Sequence, residues 1–390
     1  MRIKVIAVVL AVLFCAAGMG YAQEDEKKDQ PEKDIGFSEE IPEGEQTKDV
    51  GARAGKVRSL EDRLVKLEAA LDRDVTSENW YDRIQVSGLI EVEASYENLQ
   101  IEGEEDEDSS IIDLTTVELV FDVNIHKHVD GHVMLKYEVE NVFVDEGFIT
   151  LIGTEDVPAY LIAGRQYVPF GYYDSMFVTD PNTLLLGETV EGAVVAGYRF
   201  GGNEMVDITI GAFNGQVDKI DSDDHIDGFV AGIFTNPLEG LNVGASYTSN
   251  LAASAFSEVV LQEEIDSLVG GWSAYITYEF LERFKVIGEY VAAIDSFAAG
   301  EVYDEADVEE RQPSAWNVEA GMQITEDIGL ALRYGGSDDG GFEYLPETQY
   351  GVIVNYGFFT CNLALEYMHN EFESDVQEFD RILAQLAVSF

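Results

Sequence analysis

From residue 82 onward, apolar residues recur at every second position in short runs separated by turn-forming residues. That period belongs to a β-strand with two unlike faces. The first run sets Ile84, Val86, Gly88, Ile90, Val92, Ala94 and Tyr96 on one face, and Gln85, Ser87, Glu91, Glu93 and Ser95 on the other. Val117, Leu119, Phe121, Val123 and Ile125 alternate with Glu118, Asp122 and Asn124, and Val133, Leu135, Tyr137 and Val139 alternate with Lys136, Glu138 and Glu140. Further runs occupy residues 144–152, 159–170, 188–200, 205–213, 227–235, 241–249, 268–279, 284–292, 314–323, 328–334, 349–356, 361–369 and 381–390. The last alternates Ile382, Ala384, Leu386, Val388 and Phe390 with polar or small residues. Apolar toward lipid and polar toward a lumen is the pattern of a transmembrane barrel, and the predicted fold is all-β, an antiparallel barrel of about 16 strands. A soluble sandwich also alternates, but it does not need the aromatic strand ends found here.

The connections fall into two classes. Those near 126–131, 153–157, 201–204, 236–240, 280–283, 324–327 and 357–360 are short. Those near 98–110, 171–187, 214–226, 250–267, 293–313, 335–348 and 370–380 are long, and the one near 141–143 breaks the rule. Short periplasmic turns facing long external loops suit a barrel with both termini in the periplasm. Tyr96, Tyr137, Tyr160, Tyr198, Tyr247, Tyr278, Tyr290, Tyr334, Tyr356 and Tyr367 fall near strand ends, where an interfacial girdle belongs.

Ahead of the strands the pattern changes. Residues 1–22 read as a secretory signal: Arg2 and Lys4, an apolar run, then small residues before a cleavage point. Residues 23–56 are polar and acidic and read as a disordered periplasmic linker. Val57, Leu60, Leu64, Leu67 and Leu71 repeat at heptad spacing, so residues 57–75 are expected to form a short α-helical coiled coil. Two heptads are marginal alone. Either they join chains already held together by their barrels, as in a homotrimer, or a single helix rests on the barrel mouth. The barrel itself is expected to span 82–390.

Composition sharpens this picture. The formal charge is −53, with 76 acidic residues against 23 Lys and Arg. A chain so acidic repels nucleic acid and favours cationic partners. No stretch after residue 22 approaches the roughly 20 apolar residues of a spanning helix. Cys361 lies outside the signal with no second cysteine to pair with. Neither a nucleophile elbow, a zinc-binding His-Glu pair nor a phosphate loop occurs, so no enzyme, catalytic residue or cofactor is implied. His126, His128 and His132 cluster at the first short turn, where turn polarity accounts for them. The acidic runs at 102–108 and 304–310 lack the ligand spacing of a calcium loop and read as solvated surface.

The candidate site is the lumen. Strand parity points Glu91, Glu93, Glu118, Asp122, Glu138, Glu140, Glu289 and Glu319 inward, with Lys136, Lys285, Arg165 and Arg333 as the fewer cations; Asp207, Glu146, Glu279 and Glu366 share that face. An acidic bore attracts cations and repels anions. For any single residue the blander reading is that its charge only solvates a wide pore. The third long connection has the length to fold inward, which would set Tyr172, Tyr173, Asp174, Asp180 and Asn182 opposite Arg165 and Arg199. The alternative is an external loop packed on its neighbours.

One local signature is stronger than the rest: Gly164-Arg165-Gln166-Tyr167-Val168-Pro169-Phe170-Gly171, then Thr179-Asp180-Pro181-Asn182 and Leu186-Gly187-Glu188-Thr189. With the leucine-bearing segment, the 145–151 strand, Phe213-Asn214-Gly215 and Leu332-Arg333-Tyr334-Gly335-Gly336, this block resembles the siderophore-porin family of the LbtU type, over about residues 57–390. The resemblance implies an outer-membrane barrel through which iron–siderophore complexes cross without energy coupling. It leaves two other readings open: a general diffusion porin that prefers cations, and a structural barrel whose N-terminal arm tethers the envelope.

Overall fold

The computed structural model describes residues 80–390, apart from 104, 139–140, 155, 202–205, 221–224, 262–263, 305–307, 342–343 and 373–376. The expected signal peptide, linker and coiled coil, together with Glu140, lie outside the described residues.

A short 3-10 turn at Trp80–Arg83 leads into β1 (Ile84–Ile101), β2 (Glu107–His126), β3 (Val129–Glu138), β4 (Asn141–Thr154) and β5 (Val157–Tyr167). Helix α1 (Asn182–Gly187) precedes β6 (Val190–Phe200), β7 (Val206–Phe213), β8 (Asp218–Lys219), β9 (Gly228–Leu238), β10 (Leu241–Thr248) and β11 (Glu264–Ile265). The chain continues through β12 (Gly271–Phe280), β13 (Phe284–Ala293), β14 (Ser314–Gln323), β15 (Ile328–Asp338), β16 (Thr348–Phe358), β17 (Cys361–Glu371) and β18 (Gln377–Ser389). All but β8 and β11 close into one barrel in which each strand pairs antiparallel with its neighbours and β18 returns to β1. That makes sixteen barrel strands among the described residues. Closure satisfies every strand edge internally, the condition for spanning hydrocarbon. The seam is completed by Gly88 N–H donating to the Phe390 carbonyl at 2.9 Å and Phe390 N–H donating to the Gly88 carbonyl at 3.1 Å. No described helix is long and apolar enough to cross a membrane.

The faces follow the alternation. Val194, Tyr198, Ile208, Ile210, Phe229, Ile233, Ile276, Leu332 and Val354 are exposed on the outside, while Thr209, Ser246, Ser273, Thr277, Asn317 and Gln349 are buried inside. Apolar residues outside and polar residues inside reverse the order of a water-soluble barrel. Aromatic rings pair on the strands at two levels, Trp272 with Tyr290 and Trp316 with Tyr334 at one, Tyr278 with Phe280 and Tyr356 with Phe358 at the other. Tyr160 departs from the expected girdle: it is buried inside the wall and donates its hydroxyl to Asp207 at 2.9 Å.

Two bulges shift the expected parity. Across β1 and β2, Glu91 faces Thr116 and Val92 faces Leu114, so Thr115 is an extra residue. Beyond it β2 continues to Glu107, and the connection expected over 98–110 shrinks to a few residues. The acidic and serine residues that suggest a loop there belong to a strand that outruns the 9–11 residues a membrane crossing needs. Across β3 and β4, Met134 faces Glu146 and Leu135 faces Val144, leaving Asp145 as the extra residue. Asp145 and Glu146 are consecutive yet both buried.

The long connections pack on one another. Phe170, Leu186, Leu251, Phe256, Phe297 and Leu345, from four different connections, share one apolar cluster. The Phe256 ring lies 5.3 Å from Phe297 and edge-on to Tyr303 and Tyr344.

Candidate functional site: a strapped loop and a charged cavity

Strand β5 stops at Tyr167 because Pro169 has no N–H to offer the ladder. The chain from 168 to 189 then turns inward and lies against the barrel wall. Three inward carboxylates hold it. Glu289 on β13 accepts the N–H of Tyr172 at 2.6 Å, the N–H of Tyr173 at 3.1 Å and the Thr183 hydroxyl at 3.0 Å. Glu319 on β14 accepts the Ser175 hydroxyl and the Met176 N–H, both at 2.7 Å. Glu366 on β17 accepts the Val178 N–H at 2.7 Å, the Thr179 N–H at 3.2 Å and the Thr179 hydroxyl.

Arg333 on β15 ties these contacts together. Its guanidinium donates to Glu319 at 3.0 Å, to the Thr179 carbonyl at 2.8 Å, to the Asp180 carbonyl at 3.3 Å and to the Ser175 hydroxyl. It also lies over the Phe177 ring, 4.5 Å from the centroid. Both Arg333 and Glu319 side chains are 0% exposed. Further along, Tyr172 stacks on Tyr275 at 4.6 Å, and Asn182 donates to the Pro346 carbonyl at 2.9 Å. Burial, and after it the Glu289 charge, holds the Tyr173 hydroxyl well above the usual phenol range, so it stays neutral.

Within β5, ahead of the loop, one glycine is packed closely against β4. Gly164 has φ +143°, and a Cβ there would run into the Gly147 carbonyl oxygen and lie 2.6 Å from Phe148 Cα. Gly164→Ala is therefore expected to cost on the order of 1–3 kcal/mol and to lower the temperature at which the folded, heat-modifiable barrel band is lost in electrophoresis. An unchanged transition would show that the backbone here relaxes freely.

On the side away from the strap lies a cavity of about 910 Å³. Its walls come from β1 to β5 and β18, from the start of β6, from residues 255–258 and from the loop itself. Glu91, Glu93, Glu118, Lys136, Glu138, Arg165 and Asp180 of the expected set all line it. The lining also includes Asp113, Asp145, Glu188, Glu258 and Arg381, so among the described residues nine carboxylates meet three cations. Lys136 is bridged to Glu138 at 2.9 Å and Arg381 to Glu97 at 3.3 Å. Gln385 donates to Glu93 at 2.8 Å, and Tyr167 to Asp145 at 3.0 Å.

Other expected residues sit elsewhere. Glu289, Glu319 and Arg333 are inside the barrel but beneath the loop, not on the open cavity. Asp122 accepts from His132 at 2.7 Å, and Glu146 lies 3.4 Å from the other ring nitrogen. Asp174 takes the Tyr172 hydroxyl at 3.2 Å. Arg199 does not face the loop: it lies 3.5 Å from Asp207 and over the Tyr160 ring, because β6 carries it to the end of the wall opposite the loop. No group of three or more described His, Cys, Asp or Glu residues is placed to hold a metal ion. Asp113 and Asp145 escape a parity reading because each follows from a bulge. Glu188 and Glu258 lie in connections whose course no periodicity reveals, whereas Arg381 stands on β18 on the same inward face as Gln385.

Comparison with known proteins places this architecture. The outer-membrane channel DcaP of Acinetobacter baumannii superimposes with a TM-score of 0.56 at 15% identity, covering 79% of this chain and 97% of that one. An anion-selective porin from Comamonas acidovorans gives 0.54 at 9% identity, covering 79% and 99%. OmpF of Salmonella typhi, in complex with daunomycin, gives 0.53 at 13%, covering 80% and 100%. These likenesses show a shared fold, that of outer-membrane porin barrels. In sequence, the chain is similar to a UPF0422 protein of Coxiella burnetii, 28% identical over 305 residues, 74% of this chain and 64% of that protein. A UPF0422 protein of Legionella pneumophila is 24% identical over 325 residues, 74% of this chain and 59% of the relative. The chain thus spans about three fifths of the length of these relatives. No family model matches.

Proposed function

We propose that this protein is an outer-membrane channel through which small cationic solutes pass passively, working as a homotrimer with its N-terminal segment on the periplasmic side. The observation that carries the reading is the cavity between the strapped loop and the β1–β3 wall, where nine carboxylates outnumber three cations. In a narrow water-filled passage with low-dielectric walls, such an excess raises the local concentration of cations and lowers that of anions. The fold alone does not set this sign, since a barrel with much the same course is an anion-selective porin; the lining does.

The resemblance to siderophore porins suggests iron chelates as cargo, and the acidic lining favours chelates with positive groups over anionic ones. Single-channel recording of the purified protein in a KCl gradient tests the reading. The reversal potential is expected on the cation side, and more strongly so in dilute salt. A channel preferring chloride in dilute salt would overturn it.

A further inference from the structure

The cavity has two chemically different faces. Glu91, Glu93 and Glu118 stand on the strand wall, while Val178 and Leu185 of the loop and Val190 at the start of β6 also line it and remain only half-buried. A passage serving hydrated inorganic cations has no use for apolar side chains left in contact with its water. From these faces we infer that the solute class is the organic ammonium ion: a positive nitrogen carried on an apolar skeleton. The ammonium group meets the carboxylate wall, and the skeleton covers the valine and leucine side chains, removing apolar surface from water on both partners. This inference rests on the cation-passing reading above and narrows it.

A second feature points the same way. The main-chain N–H groups of Tyr172, Tyr173, Met176, Val178 and Thr179 all donate to carboxylates behind the loop. A carboxylate- or phosphate-bearing solute finds none of those five donors on the cavity side. An organic anion of the same shape would therefore meet the same apolar lip but an unfavourable field and few main-chain donors.

The test is current block of the full-length channel by tetramethylammonium, butyltrimethylammonium and hexyltrimethylammonium, each at equal concentration in KCl. Charge is constant along the series, so an electrostatic passage alone predicts equal block. The inference predicts a blocking constant that tightens by about twofold for each added methylene, roughly half of what complete burial would give. Hexanoate, with a similar chain and opposite charge, is expected to block weakly. Val178→Thr together with Leu185→Ser, which alter side chains and leave the loop's main-chain hydrogen bonds in place, should flatten the dependence on chain length. Equal block by all three ammonium ions in a cation-preferring channel overturns the inference and leaves the cation-passing reading standing. Anion preference in dilute salt overturns both. Should the double variant fail to assemble, the wild-type series still decides the matter.

Discussion

Replacing Arg333 with methionine is expected to free the loop of residues 168–189 from the wall, raising single-channel conductance severalfold and lowering the thermal stability of the barrel. Among the described residues, Arg333 is the one side chain that contacts Glu319 and the loop carbonyls of Thr179 and Asp180 together. Methionine keeps much of the volume over Phe177 but leaves Glu319, 0% exposed, without its guanidinium. Removing one partner of a buried ion pair costs about 3–5 kcal/mol. The barrel, closed by sixteen strand pairings, stays folded at a lower transition temperature, while the loop loses the contacts that Arg333 makes to Thr179, Asp180 and Ser175. Arg333→Lys should fall between wild type and methionine, since an ammonium keeps the charge but cannot reach Glu319 and two carbonyls with a planar fork. Conductance and heat-modifiability measured on all three proteins check this. If the methionine variant shows wild-type conductance and stability, Arg333 does not hold the loop.

Neutralising Glu91 and Glu93 to glutamine should move the reversal potential in a KCl gradient toward zero. Both residues line the cavity on β1, and glutamine preserves shape while removing charge. Glu93 already meets Gln385, so the substitution leaves a hydrogen-bonding partner in reach. The same change at Glu105 and Asp106, exposed at the tip between β1 and β2, should do less. Their field is screened within about 10 Å at 0.1 M salt and about 3 Å at 1 M. Consequently the gap between the two double variants should narrow as salt rises. A larger shift from the Glu105 and Asp106 pair would place the selective step at the external tip and not in the cavity.

Much of the wall was legible because a barrel strand is a local object. Side chains alternate with period two, lipid and water impose opposite demands on the two faces, and so Ile84 to Tyr96, Val190 to Phe200 or Gly271 to Tyr278 each announce a strand without reference to the rest of the chain. Pro169 likewise announces the end of β5 by what its backbone lacks. Where one extra residue enters, the same rule misleads. Thr115 and Asp145 shift parity, so the upper half of β2 and the inward turn of Asp145 follow from pairing with β1 and β3, which no local pattern contains. Tyr160 shows the related failure, since an aromatic near a strand end reads as girdle until its hydroxyl proves to reach across Gly197 of β6 to Asp207 on β7.

By itself the sequence determined a lipid-facing barrel with a polar, mostly acidic interior, since periodicity and charge are properties of the chain. Only the tertiary structure decided what each inward charge does. Glu91 and Glu289 are equivalent by parity: one lines the cavity, and the other lies beneath the loop with two main-chain N–H groups on it. The difference arises because the loop leaves β5 and crosses to β13, β14 and β17, more than a hundred residues away along the chain. A carboxylate's surroundings are set by which distant segment lies against it, and that is a matter of closure and packing in three dimensions, not of spacing along the sequence.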